Sequence, residues 1–500
     1  MQLKQRSVVL GSRARAGGVR HFHATQKQPV WFVVAGVGCA ALFLGSRYVL
    51  RAQERIRRQR AGLPVDCDYD DESVSDSYDR QSPAKRMTQI LGVDFGTANL
   101  RLSVAALTQG VGPLHSNQIR VIESADGLRA IPAAVAVDNG NVSVGVLAKA
   151  LLGRKSGYTG TATRLLLEHS KEQASSEDWD RFLKTLPYKL NASDGDSLEM
   201  ELDGKIYSPE WAAEIMLDNM HSMAARSLGE NGGDNDGFPA IISVPAGLSD
   251  AKRAIFERVA SSAGFQVITS IDEPIAALHA AELSATEDED EVSLRALSEP
   301  GMRIAVFDMG GYKSSVTLLE REGRGDFGFK ILESRATSAV SGKTVDDLLF
   351  SQVVSKFQLE SGIDLSIDHM ASYRVLEAVE TAKIELSSTR NTDLNLPFIT
   401  ADRTGAKHLV QKLSAYDLRR ACDSQATLAK ALCDQALADA GLKTQDMDLL
   451  VLVGGGVRSE PIREQLEKHF GKKAFSSRNF KPEEAVVVGA AEFGRRLVSE

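Results

Sequence analysis

Residues 90–105, ILGVDFGTANLRLSVA, decide how this chain is read. Ile90, Leu91, Val93 and Phe95 favour a strand and lead into Gly96-Thr97. Beyond that turn, Leu100, Leu102 and Val104 alternate with Arg101 and Ser103. The alternation predicts a hairpin with a carboxylate, Asp94, just before a glycine turn. Gly96 has no Cβ, so main-chain N–H groups there can close on phosphate oxygens. Asp94 is placed to support a hydrated Mg²⁺ beside such phosphates. The plain alternative is an ordinary hairpin with an Asp in its turn, since a short motif alone is only a hypothesis.

The pattern recurs. Residues 303–319, RIAVFDMGGYKSSVTLL, repeat the apolar strand, the acid (Asp308), the glycines (Gly310-Gly311) and a second strand. Two such hairpins imply two related half-domains facing one another across a nucleotide. A third glycine turn follows the buried strand 449–453, LLVLV, at Gly454-Gly455-Gly456-Val457-Arg458, and a helix is expected over 461–470. A strand, a glycine turn and a helix N-terminus form a standard nucleotide position.

The segments between these turns read as α/β. A long amphipathic helix spans 207–228, with Ser208 as N-cap and Pro209 in the first turn. An apolar strand at 238–244 ends at Pro245-Ala246. A helix over 250–264, a strand at 267–270 and a helix over 275–283, opened by Asp272-Glu273-Pro274, come next. Residues 285–300, ATEDEDEVSLRALSEP, read as a solvated acidic loop dividing lobe I (89–284) from lobe II (301–500). Further helices are expected over 373–386, 412–440 (one or two) and 485–497.

The length allows two to four domains. A chain 43% hydrophobic and 25% charged has the composition of a globular body, and a net charge of −8 argues against nucleic-acid binding. The four cysteines form no CxxC pair and have no His at metal spacing; Cys422 and Cys433 fall on a helical pattern as core thiols.

The N-terminus reads differently. Residues 1–28 hold Lys4, Arg6, Arg13, Arg15, Arg20 and Lys27 and no acid, the pattern of a mitochondrial targeting segment. The alternative is the positive flank of a signal anchor. Residues 29–50, PVWFVVAGVGCAALFLGSRYVL, are expected to form a transmembrane helix, with Trp31 and Tyr48 at the interfaces and Arg47 snorkelling. The acidic stretch within 51–88 reads as a disordered tether. The expected location is a membrane anchor, in the mitochondrial inner membrane or alternatively the endoplasmic reticulum.

In this order the pieces resemble the nucleotide-binding domain of the heat-shock protein 70 family, within the actin-like ATPase superfamily. The carriers are VDFGTAN (93–99), SVPAGLSDAKR (243–253), IDEPIAAL (271–278), FDMGG (307–311), ETAKIELSSTRNTDLNLPFITAD (380–402), LVGGGVR (452–458) and EEAVVVGAA (483–491). The resemblance implies a duplicated ribonuclease H-like fold with two lobes around a central cleft that takes ATP or ADP with Mg²⁺. It implies that Gly96, Thr97, Gly310 and Gly311 contact phosphate. Glu380, Lys383, Ser387, Gly454, Gly455 and Arg458 match the adenosine positions. Asp94 and Asp308 match the carboxylates around Mg²⁺, and Glu273 the acid near the attacking water. Pro245 and Arg253 match a relay from the nucleotide to the outside. For Glu380 and Lys383 the alternative is a surface ion pair at i,i+3.

The sequence also departs from the family. In the second hairpin the third Gly, the Thr and the second Asp are missing; Tyr312, Lys313 and Ser315 stand nearby, and Tyr312 is expected to crowd the phosphate. Ala98 follows Thr97 in place of a Thr. The phosphate-side Lys should fall near TATRLLL (161–167), where only Thr163 or Arg164 is available. Arg164 would keep the charge without the compact ammonium. ATP binding with slow or absent hydrolysis is therefore expected. Thr269 replaces the Arg used with J-domain partners, which counts against such a partner, while exchange factors or other chaperones stay open. No substrate-binding domain is expected before Glu500. The competing readings are a nucleotide-binding scaffold without turnover and, with less support, an actin-like small-molecule kinase.

Overall fold

The computed structural model describes residues 88–107, 119–169, 177–192, 198–229, 237–285, 291–323 and 328–499. The targeting segment, the transmembrane helix and the tether, apart from Thr88, lie outside the described residues. Among the described residues, no helix is long and apolar enough to cross a membrane.

Two mixed sheets carry the molecule, and they are built alike. In the first, Gln89–Phe95 pairs antiparallel with Asn99–Ala106 and parallel with Phe238–Val244, which in turn runs parallel to Phe265–Asp272. Ile119–Val121 adds antiparallel to the hairpin's outer strand. In the second, Arg303–Met309 pairs antiparallel with Ser314–Arg321 and parallel with Leu449–Val453, and Phe329–Thr337 adds antiparallel outside. The two sheets thus share one hairpin, a parallel partner for its first strand and an outer antiparallel strand; the first sheet adds Phe265–Asp272 and Ile131–Pro132. The register also corresponds: Asp94 lies opposite Arg101, and Asp308 opposite Ser315.

Each hairpin is held by the burial of its alternating positions. Leu91, Val93, Phe95, Leu100 and Leu102 join one core; Ala305, Phe307, Val316 and Leu318 join another. Burying each large side chain stabilises by about 1.5–3 kcal/mol. Both faces of these strands are covered, so Ser103 is buried as well; its hydroxyl donates to Val487 O at 2.7 Å.

Two helices are exchanged between the halves. Glu273–Ser284 follows a first-sheet strand, yet Ala277, Leu278 and Ala281 pack with Ile304, Val306 and Val451 of the second sheet. Ala485–Ser499, counted with lobe II by position, sets Ala490, Ala491, Phe493 and Leu497 against Ile90, Ile241 and Ile268 of the first. Its backbone comes so close that a Cβ added to Gly92 would stand 2.7 Å from Ala491 N. That approach requires glycine.

Several expected elements appear with shifted ends. The Ser208-capped helix runs Pro209–Leu228, with Trp211 N donating to the Ser208 hydroxyl at 3.1 Å. The expected helical region 412–440 is instead a strand, Gly405–Ser414, followed by one helix, Ala415–Asp439, with a Ser414–Asp417 capping box. The stretch read as a solvated loop, 285–300, also needs correction. It contains the helix Glu291–Ser298, which buries Ala296 and Leu297. The acids drew attention away from the apolar spacing behind them. The sequence pattern did not reveal the strand Phe329–Thr337, the helix Gly342–Ser361 or the hairpin of Asn391–Asp402 with Gly405–Ser414.

Candidate functional site

The glycine turns of the two hairpins face a single cleft of about 740 Å³, within the usual range for ligand pockets. Asp94, Gly96, Thr97, Arg164, Glu273, Asp308, Gly310, Gly311, Glu380, Lys383, Ser387, Gly454, Gly455 and Arg458 all line it. The structure thus brings every expected site residue to one place. Pro245 and Arg253 lie elsewhere: Pro245 follows the strand Phe238–Val244, and Arg253 is ion-paired with Asp272.

The turns meet at the cleft floor. Gly310 N donates to Lys313 O at 2.9 Å, which tightens the second turn. Tyr312 N points at the Thr97 hydroxyl, 3.4 Å away on the opposite lobe. The N-terminus of Gly342–Ser361 is tied to the same turn, with Gly342 N on Gly310 O at 2.9 Å and Lys343 N on Gly311 O at 2.8 Å. A helix end and two glycine turns thus converge where a polyanion would be favoured.

Asp94 and Asp308 stand beside these turns. Burial raises the Asp94 carboxyl to about 6, against the pull of Arg101. Burial raises Asp308 further, to about 7, and Glu273 and Asp94 add to the effect. The register explains the difference. Arg101 lies opposite Asp94, with its guanidinium 3.7 Å from the carboxylate, while Asp308 faces Ser315. Among the described residues, no group of three or more His, Cys, Asp or Glu is arranged to cage a metal. Two oxygen donors at the floor nevertheless fit a hydrated Mg²⁺ held mainly by phosphates.

Arg164 sits beneath this pair on the short helix Thr163–Glu168, only 3% exposed. Its guanidinium meets Glu168 at 2.8 Å, Phe95 O at 2.7 Å and Glu273 at 2.5 Å. Burial opposes its charge, but Glu273, Glu168 and Asp94 together hold it protonated. Ala162, directly before this helix, takes a left-handed φ of 53°. A non-glycine residue there is strained by about 1–2 kcal/mol, and the turn it makes sets Arg164 beneath the floor.

The upper walls carry the adenosine candidates. On the helix His369–Glu385, Lys383 bridges Asp346 at 2.8 Å, and Glu380 bridges Lys149 of the other lobe at 2.6 Å. Burial lifts Asp346 to about 6 in spite of Lys383. Arg458 is paired with Glu483. The Tyr373 hydroxyl donates to Lys149 O at 2.7 Å, and the His369 ring meets Leu152 O at 2.7 Å, so these contacts also join the lobes across the cleft mouth. The Tyr312 ring, expected to crowd the phosphate, reaches the first lobe and meets Phe182 edge-on at 6.5 Å.

Sequence reasoning missed Lys149, Lys313, Lys343, Asp346 and Tyr373 as cleft residues. Lys149 and Glu380 lie far apart in the chain with no shared motif, so only the fold could pair them. Lys313 was legible as a change in the glycine turn, but not as a charge facing the floor.

Two sheets with the same four-strand core, exchanged helices and a shared glycine-lined cleft define an actin-like ATPase fold. The family model described as Hsp70 protein matches residues 90–499, so the chain belongs to the Hsp70 family. It is an Hsp70-like ATP-binding protein of the chaperone class, and ATPases of this family bind ATP or ADP with Mg²⁺.

Proposed function

We propose that this cleft binds ATP or ADP, with Mg²⁺ accompanying the phosphates, and hydrolyses ATP slowly or not at all. The Arg164–Glu273 contact at 2.5 Å carries this reading. Glu273 is the acid closest in role to a water-orienting group, and a buried guanidinium already occupies it. The oxygen that would orient an attacking water is turned instead to this ion pair. In phosphoryl transfer, loss of one positioned charge typically costs about 10²–10³ in rate. Ser315 opposite Asp308 and the first lobe's lack of a phosphate-side lysine point the same way.

A single-turnover assay with radiolabelled ATP tests this. Turnover at ordinary chaperone rates, abolished by Asp94→Ala, would refute it. Binding is read separately by thermal shift, where ligand at a hundredfold above Kd should stabilise by about 2.7 kcal/mol. No shift with any nucleotide would leave a scaffold without a ligand.

A second reading, an interaction scaffold closed by nucleotide rather than an enzyme, is favoured by the Lys149–Glu380 bridge between the lobes. Exchange factors or other chaperones are the expected partners, and nucleic acid is not. The basic segment 1–28 and apolar segment 29–50 support a mitochondrial, membrane-anchored protein, most simply of the inner membrane. Import of a tagged full-length chain with protease protection tests that; co-fractionation with endoplasmic reticulum would overturn it.

A further inference from the structure

A triphosphate at the cleft floor needs a cation able to offer it N–H groups. Arg101, Arg164 and Lys313 flank Asp94 and Asp308 at that end, while Lys343, at the helix end beside the second turn, is ion-paired with Asp347. Arg164 has its guanidinium directed at two carboxylates and a carbonyl. Arg101 faces Asp94 across the strand register. Lys313 differs in both respects. It leaves the Gly310-Gly311 turn itself, its side chain is 16% exposed, and Glu168 is its one partner among the described residues. An ammonium has three donors, so an ion pair with Glu168 leaves two for a second acceptor. Its positive charge is also felt at Asp308, which places it near the carboxylate beside the phosphates.

Across the cleft, Thr163 is buried and its hydroxyl has no hydrogen-bond partner. This is the first-lobe position where the chain offers no lysine, and Glu168, which anchors Lys313, lies on the same short helix. The ammonium therefore approaches this helix from the opposite lobe.

We propose that Lys313 is the cation that binds the terminal phosphates of the nucleotide, so that the second lobe supplies a charge the first lobe lacks. The inference rests on the nucleotide reading above and adds which residue discriminates ATP from adenosine. Lys313 is a binding residue that touches phosphate; its pair with Glu168 keeps the extended side chain directed across the floor while the cleft is free of ligand.

The test measures affinities of the full-length chain for ATP, ADP and adenosine. Charge-assisted hydrogen bonds predict that Lys313→Ala weakens ATP by about 10- to 100-fold and leaves adenosine within about twofold. Lys313→Arg should retain most of the ATP affinity. The double variant Lys313→Thr with Thr163→Lys, which returns the charge to the first lobe, should recover it. If the substituted proteins fail to fold, footprinting of the unaltered chain gives the same answer: ATP, but not adenosine, should shield Lys313 from reductive methylation. Equal losses for ATP and adenosine, or no loss, would overturn the proposal and leave Lys313 as a structural partner of Glu168. Equal shielding by both ligands, or none, would do the same. An unaltered chain that takes neither ATP nor adenosine would instead overturn the nucleotide reading itself.

Discussion

The hairpins 89–106 and 303–321 share strand order, register and the placing of an acid before glycine, yet their surroundings differ at each equivalent position. Asp94 faces Arg101 where Asp308 faces Ser315. Gly92 touches helix backbone where its counterpart, Val306, packs side chain to side chain. Ala98 and Asn99 complete one turn, Tyr312 and Lys313 the other. The first hairpin is thus neutralised within its own lobe, while the second reaches across the cleft to Phe182 and Glu168. A duplicated fold fixes where groups stand; the residues opposite them decide what those groups do.

The largest expected effect comes from the cation that serves both hairpins. Arg164 lowers the cost of charge at Asp94 and at Asp308 and is ion-paired with Glu168 and Glu273. Arg164→Ala leaves buried acids uncompensated and should destabilise by about 3–5 kcal/mol in urea unfolding. A loss below about 1 kcal/mol, the level of an exposed pair, would mean that solvent already neutralises these acids. The next effect tests the packing difference. Gly92→Val drives a side chain into the backbone of Ala485–Ser499 and should cost about 1–3 kcal/mol, whereas Val306→Ile should cost less. Equal costs would break the contrast between the two sheets.

These contrasts show what the chain revealed before folding. The strand–acid–glycine repeat was legible because it is local: alternation and a turn residue lie within one short window. Leu449–Val453 was legible for the same reason, as an unbroken apolar run. The helix exchange was not legible, because Ala277 and Ala490 are apolar on any reading and only the fold says which sheet they meet. The helix Glu291–Ser298 was hidden behind a run of acids. At the site, the residue types were readable but their partners were not. Arg164 could be named as a charge, but not as one locked to Glu273 by a left-handed turn at Ala162.

A smaller effect concerns pH. A carboxyl raised in the fold contributes stability that is present below its ordinary pKa near 4 and is lost as pH rises through its folded value. For Asp308, raised to about 7 by burial and by Glu273 and Asp94, that loss falls between about pH 4 and 7. Ser315→Arg gives Asp308 the partner Asp94 already has. In nucleotide-free protein with chelator, the variant should lose less stability over that window, by roughly 1 kcal/mol given that Asp308 is partly exposed. An unchanged slope would show that the register partner is not what separates the two acids.

The smallest effect lies at the cleft mouth, where the halves meet through Lys149 and Glu380 at 2.6 Å. Both side chains are about a third exposed, so the bridge is screened by salt and is worth about 0.2–1 kcal/mol. Lys149→Ala should therefore leave melting nearly unchanged. Opening the cleft must break this contact while most packing within each half is left intact. Its small energy consequently appears almost entirely in the opening rate: the variant should release nucleotide up to about fivefold faster at low salt and at the unaltered rate in high salt. Equal acceleration at both salt levels would trace the effect to the lysine stem or to the Tyr373–Lys149 hydrogen bond, and would shift control of opening from charge to packing.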